Sequence, residues 1–306
     1  MRVAILVTLG SAALLCGFAE AQSGYVRDSI GKQKTATRIG PSLYNLPFEQ
    51  WKGEKLVFAP KSYGLQKFGY RLVEPEQPYD SMVGKVVTVT DVARVTDGYV
   101  VRLVTDDGAP ISTRLFDSFL DDISILELGP VRDIEWARRR WLGKHVWLKP
   151  ALCRAEQMPY DVELDKWDSV PGKNASAVTV IDVVASDDAH APVRLIMRTK
   201  GGEEGYIDIS VMNAPPYALL NGAAQYEHRF FENDPRLKYK WPSKVWAAIE
   251  QQKVFVGMTR EQARLSWGRP CDINKTTSGG KTREHWVFGH RRFLYFIDGL
   301  LSVIRD

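Results

Sequence analysis

Cysteine is scarce in this chain, with three in 306 residues. That excludes a disulfide-dense mini-scaffold, which staples a small core with several bridges. Histidine is nearly as rare, at 145, 190, 228, 285 and 290. None stands in an H-E-x-x-H pattern, and His285 and His290 have no third ligand nearby, so no metal centre is expected. An excess of one charge is also missing. Lys and Arg number 41 against 37 Asp and Glu, a net charge of +4, too little to mark a nucleic-acid binder. Beyond residue 15 no apolar run reaches the roughly 20 residues that span a bilayer, so no transmembrane span is expected. No G-x-S-x-G elbow, phosphate-binding glycine loop or dinucleotide fingerprint occurs. The chain is therefore read as non-enzymatic and without a cofactor. The one nucleophile arrangement left open is a Cys–His dyad from Cys153 or Cys271, whose partners need not be close in sequence.

What is present is ordinary globular composition, 44% hydrophobic and 25% charged, with nine Trp to anchor cores. The length suggests two or three domains. The first segment reads as an address. Met1-Arg2 is a short positive start, 3–15 is apolar, and Ala19-Glu20-Ala21 offers small residues to a signal peptidase. Residues 1–21 are thus expected to be a cleaved signal peptide, with the mature protein periplasmic or secreted. Acylation at Cys16 is the competing reading, weakened by the bulky Leu15 before it. If Cys16 leaves with the signal, Cys153 and Cys271 remain. They are either an interdomain disulfide or two buried thiols, and sequence cannot supply the distance that decides.

An internal repeat organises the middle. Trp51-Lys52-Gly53-Glu54-Lys55-Leu56-Val57 matches Trp141-Leu142-Gly143-Lys144-His145-Val146-Trp147 at an offset of 90. Thr88-Val89-Thr90-Asp91-Val92 matches Thr179-Val180-Ile181-Asp182-Val183 at 91, and Val101-Arg102-Leu103-Val104 matches Val193-Arg194-Leu195-Ile196 at 92. Ordered blocks with a steady drift predict two copies of one unit, over 48–128 and 138–213. Both are rich in Val and Thr and broken by Asp97-Gly98, Asp107-Gly108 and Gly201-Gly202 turns, which predicts β-meanders. The size and order suit a small five-stranded barrel similar to a bacterial SH3-like fold. Trp51 and Trp141 are core anchors or, in the sharper reading, stacking platforms for a ligand. The loops at 70–80 and 158–170 are acidic. Asp161, Glu163 and Asp165 have calcium-ligand chemistry, yet the glycine and closing glutamate of a calcium loop are absent, which favours a solvated loop.

A Pro-rich break at Asn213-Ala214-Pro215-Pro216 opens a linker over 214–242, and a last domain is expected over 243–306. The linker interleaves aromatic and basic residues, including Lys238, Tyr239, Lys240 and Trp241. Such a pattern binds anionic glycan or packs onto the neighbouring domain. Ser243 is placed to cap a helix over 244–252. Thr259 and Gln262 form a capping box, Met258 and Ala263 a hydrophobic staple, and Gly268 and Pro270 end a helix over 260–267, whose Trp267 is expected to bury its ring. Strands over 283–288, 292–297 and 300–304 follow, the last pair joined by Asp298-Gly299. Helices on one face of an antiparallel sheet make this an α+β module.

Gly257-Met258-Thr259, Trp267-Gly268-Arg269-Pro270, Trp286-Val287-Phe288 and Asp298-Gly299-Leu300 together resemble the SmpA/OmlA (BamE-like) domain. The resemblance covers 243–306. It implies a small periplasmic fold similar to one repeat of β-lactamase inhibitory protein, and a link to outer-membrane assembly and envelope integrity. Gly257, Met258, Thr259, Trp267, Gly268, Pro270, Trp286 and Gly299 carry over as fold-defining residues. Cys271 departs from the family pattern, as do the two preceding β units.

The expectation is an exported, non-catalytic protein-binding or scaffold module of the bacterial envelope, associated with outer-membrane assembly components. Arg283, His290, Arg291 and Arg292 are its candidate contacts to acidic partners or lipid headgroups. The alternative is a cell-wall protein holding peptidoglycan through the paired β units. An inhibitor of a secreted enzyme is a third reading, drawn from the fold likeness alone.

Overall fold

The computed structural model describes residues 42–61, 63–116, 127–150, 174–188, 191–211, 226–288 and 291–306. The signal segment, Cys16, Cys153, the 158–170 loop and its acidic side chains, His190 and His290 lie outside the described residues.

The first sheet grows from alternation of Val and Thr. Its elements are β1 (Lys55–Phe58), α1 (Tyr63–Gln66), β2 (Val73–Glu74), α2 (Tyr79–Met82), β3 (Val86–Val95), β4 (Gly98–Thr105), β5 (Pro110–Phe116) and β6 (Leu128–Pro130). They pair antiparallel in the order β2-β5-β4-β3-β1-β6. Every second side chain turns inward, so Leu56, Phe58, Val87, Val89, Val101 and Leu103 form the core with Trp51. Trp51 is fully buried and donates its indole N–H to Leu46 O at 3.1 Å.

The second sheet repeats this plan. After α3 (Val131–Trp141) come β7 (His145–Leu148), β8 (Ala177–Ala185), β9 (Val193–Thr199), β10 (Glu204–Ile209), α4 (Tyr226–Arg229) and β11 (Phe230–Phe231), ordered β10-β9-β8-β7-β11. The same strand succession as β5-β4-β3-β1-β6 recurs. So do fine details. A β-bulge falls between Val89 and Asp91 in β3 and between Val180 and Asp182 in β8. Gly53 donates its N–H to Val89 O at 2.8 Å, and Gly143 to Val180 O at 2.9 Å. Both glycines have positive φ, 87° and 75°, which turns the chain sharply after each Trp. Trp141 is as buried as Trp51 and donates to Glu232 Oε1 at 2.7 Å.

Two strands lie beyond the expected copies. β6 closes the first sheet at 128–130, and β11 is taken from the stretch read as a linker. Each is too short to show periodicity and exists because β1 and β7 have an open edge to satisfy. The two sheets meet where Gly129 of β6 comes so close to Ala185 of β8 that a Cβ on the glycine would stand 2.8 Å from the alanine Cβ.

The third sheet follows α5 (Pro235–Lys238), α6 (Ser243–Glu250) and α7 (Arg260–Trp267). It is a meander of β12 (Asp272–Ser278), β13 (Lys281–Val287), β14 (Phe293–Ile297) and β15 (Leu300–Arg305). In α7 the capping box of Thr259 and Gln262 is formed in both directions, and Gly268 ends the helix at φ 86°. Met258 and Ala263 are fully buried. Before α6 the cap position belongs to Pro242, and Ser243 is the first helical residue, not the cap. Trp267 is half-buried, because its N–H reaches Gln252 O at 2.9 Å and its ring lies edge-on to Phe288.

The expected fold class is corrected. Two SH3-like barrels followed by a BamE-like α+β domain do not describe the structure. Among the described residues the protein is mostly β: fifteen strands in three antiparallel sheets, with only three helices, α3, α6 and α7, of seven residues or more. The strand orders are open arrays with two ends each. Helices of two to three turns are too short to form a layer of their own, so sheet carries most of the backbone hydrogen bonding of all three units.

Candidate partner-binding face of the third sheet

Alternation along β13 and β14 gives the third sheet two unlike faces. Inward point Glu284, Trp286, Leu294 and Phe296, all buried. Glu284 is a buried carboxylate with full satisfaction. Arg260 of α7 donates Nε to its Oε2 at 2.8 Å and lies 2.8 Å from Oε1 through Nη2, and Trp286 Nε1 donates to Oε2 at 3.0 Å. Trp286 is thereby fixed as the centre of this core, packed against Phe296 at 4.4 Å.

Among the described residues the other face has no such cover. Cross-strand register aligns Asn274, His285, Tyr295 and Val303 in one row, and Thr276, Arg283, Ile297 and Leu300 in the next. The His285 imidazole stacks on the Tyr295 ring, 4.5 Å apart and 5° from parallel. The Arg305 guanidinium sits 5.7 Å from the same Tyr295 ring, and Arg283 stands at the other end of the face. Ile297, Leu300 and Val303 are 41%, 52% and 45% exposed. These rows form a shallow cleft. Within it His285 Nε2 is buried without a hydrogen-bond partner. Asp272, opposite Val287, adds a carboxylate at the start of β12.

The expected basic cluster is not assembled. Arg283 pairs with Ile297 towards the far end of β13, five residues along the strand from Phe288, which bonds Arg292 across the turn. At the ~3.4 Å rise of a strand, about 17 Å of strand separates them. Arg291 is exposed in a left-handed turn position, φ 61°. Arg292 lies over the Trp267 ring at 5.2 Å and serves packing. The motif residues sit elsewhere again. Gly257 donates to Leu301 O at 2.8 Å, Pro270 and Trp286 are buried, and Gly299 makes the β14–β15 turn at φ 86° beside the Arg260 guanidinium. Cys271 is disulfide-bonded.

The burial of Trp51 and Trp141 removes them as ligand platforms. A second aromatic surface is found instead at Arg236, Tyr239, Lys240, Trp241, Trp246 and Glu250. There Tyr239 stacks on Trp241 at 4.6 Å, Trp241 on Trp246 at 5.2 Å, and Arg236 covers Trp246 at 5.0 Å. The rings spend their faces on each other, which is connector packing.

Displaced titrations lie away from the outer face. Burial pushes the Asp133 carboxyl up to about 7. Burial pushes the Lys149 ammonium down to about 8, against the opposing pull of Glu227. His228 is lowered by burial and by the neighbouring Lys149. Among the described residues no three His, Cys, Asp or Glu side chains gather as a metal site, and no helix is long and apolar enough to cross a membrane. No family model, curated protein or solved structure matches the chain.

The sequence reading missed His285, Tyr295, Val303 and Arg305. The signal was there: Arg-x-His-x-Val at 283–287 and Phe-x-Tyr-x-Ile at 293–297 alternate against Glu-x-Trp and Leu-x-Phe.

Proposed function

We propose that this protein is a non-catalytic binding module of the cell envelope that holds a partner protein on the outer face of its third sheet. The observation that supports this reading is the face itself: exposed Ile297, Leu300 and Val303 beside half-buried Tyr295, rimmed by Arg283 and Arg305, with no described element covering it. An apolar strip with a charged rim is the kind of surface that a protein partner covers. One sign of charge on the rim selects an acidic partner and speeds its encounter. Export through residues 1–21 is part of the proposal.

The test is photo-cross-linking in living cells. A photoreactive residue replaces Val303 in one strain and the exposed Lys253 in another. A defined product formed from position 303 alone, and lost when Arg283→Glu is added, supports the proposal. A product formed equally from 253, or indifferent to charge reversal, refutes it.

A further inference from the structure

The two edges of the third sheet differ. The outer edge of β15 is already engaged: Gly257 N–H donates to Leu301 O, Leu301 N–H donates to Met258 O, both at 2.8 Å, and Thr259 bridges to Leu300. Among the described residues the outer edge of β12 is open. All seven of its residues are exposed, and among the described strands it pairs with β13 alone.

Which backbone groups face outward follows from the turn. Gly279 and Gly280 both have positive φ, 57° and 73°, and form a two-residue hairpin loop of the kind that matches strand twist. Ser278 and Lys281 are then the first hydrogen-bonded pair, and the ladder to β13 uses alternate residues from there. The N–H and C=O of Ile273, Lys275 and Thr277 therefore point away from the sheet; the Ile273 N–H is capped by Asp272 Oδ1 at 2.8 Å, which an added strand would displace. The register runs through seven pairs without a bulge, and the strand holds no proline, so two usual protections of an edge are missing.

The remaining guard is charge. Lys275 is the central residue of β12; it stands opposite Glu284, whose carboxylate is taken by Arg260 and Trp286, and it forms no ion pair with any described residue. If a second copy paired antiparallel along the whole strand, Lys275 would stand opposite its own equivalent. Like charges directly opposite destabilise a pair. A foreign strand with a carboxylate at that position meets the opposite situation.

We propose that the edge of β12 accepts an extended segment of the partner protein as a fifth antiparallel strand, with a carboxylate side chain opposite Lys275. This rests on the reading of the third sheet as the partner-binding element and adds how the partner is held. Main-chain bonds to Ile273, Lys275 and Thr277 supply affinity, and alternate side chains of the added strand extend the Asn274–His285–Tyr295 row.

The experiment screens the full-length protein against a random library of displayed dodecapeptides, then measures the enriched peptides on Lys275→Glu, Thr277→Pro and Tyr295→Ala. Thr277→Pro removes an N–H that faces solvent and spares the ladder to β13, a place where an edge strand tolerates proline. A thermal melt verifies its folding. The expected peptides carry an acidic residue inside a β-branched run and lose at least about tenfold in affinity, roughly 1.4 kcal/mol, on both Thr277→Pro and Lys275→Glu. Lys275→Glu should enrich basic peptides instead. Peptides indifferent to both changes but lost on Tyr295→Ala overturn the edge proposal and leave the outer-face reading standing. No enrichment, or binding indifferent to all three variants, overturns both. Self-association of the unmodified chain that Thr277→Pro abolishes also overturns it, since the occupant would be a second copy.

Discussion

Asp133 should make this protein lose stability as pH rises from about 4 to about 7, and Asp133→Asn should remove that loss. The carboxyl is 1% exposed at the start of α3. Ser42 Oγ donates to Oδ2 at 2.5 Å and the Leu43 N–H to Oδ1 at 3.1 Å, so the group fastens the 42–45 segment to the helix between the first two sheets. Burial raises its pKa from the ordinary 3.8 to about 7, and the hydrogen bonds and Arg132 only partly oppose that. The charged groups facing it are Arg132 and Glu54, themselves paired at 3.3 Å. With the folded pKa above the unfolded one, the folded state holds the proton longer. The contribution is complete below the unfolded pKa and lost as pH rises through the folded one. The gap between 3.8 and about 7 corresponds to ~4 kcal/mol, at 1.36 kcal/mol per pH unit. Asparagine imitates the protonated acid: its carbonyl accepts from Leu43 N–H and its amide donates to Ser42 Oγ. Denaturant melts of both proteins from about pH 4 to about pH 8 give the difference directly. The wild type should fall by a few kcal/mol relative to the variant up to about pH 7 and run parallel to it above. A difference that is flat with pH, or that grows in favour of the wild type, would refute the reasoning.

Gly129→Ala places a methyl 2.8 Å from the Ala185 Cβ and should cost ~1–3 kcal/mol, with Ala185→Gly restoring part of it in the double variant; additive losses would contradict the close approach. Thr259→Ala removes the cap of α7 and should cost ~1 kcal/mol in a thermal or urea melt, whereas an unchanged midpoint would show that the capping box is energetically idle. Peptide mapping without reductant should join the Cys271 peptide to that of Cys153, as expected from the cysteine count; a link to Cys16, or an unmodified thiol at 153, would contradict it.

Local signals were the legible ones. The Thr259–Gln262 box and Gly268 specify α7 to its boundaries because capping uses only neighbours in the chain. The Asp-Gly and Gly-Gly turns place β3 to β5 and β8 to β10, and the Trp-x-Gly blocks reveal a duplication to which the structure adds the shared bulge. Non-local events were not legible. β12 is Asp-Ile-Asn-Lys-Thr-Thr-Ser, polar on both sides, and carries no alternation that could announce a strand; β13 and the Gly279-Gly280 turn make it one. The Arg283 and Arg292 guanidinium groups look adjacent in the sequence and are parted by the length of a hairpin.

The sequence by itself determined where the chain turns, which residues alternate, where α7 begins and ends, and that one β unit occurs twice. Each of these rests on interactions within a few residues, or on direct likeness of residues. Only the tertiary structure decided that 128–130 and 230–231 complete two sheets, that both tryptophans of the repeat are interior, and that no described residue covers one face and one edge of the third sheet. Those outcomes depend on which backbone groups find partners far along the chain, and a pattern of side chains does not encode that locally.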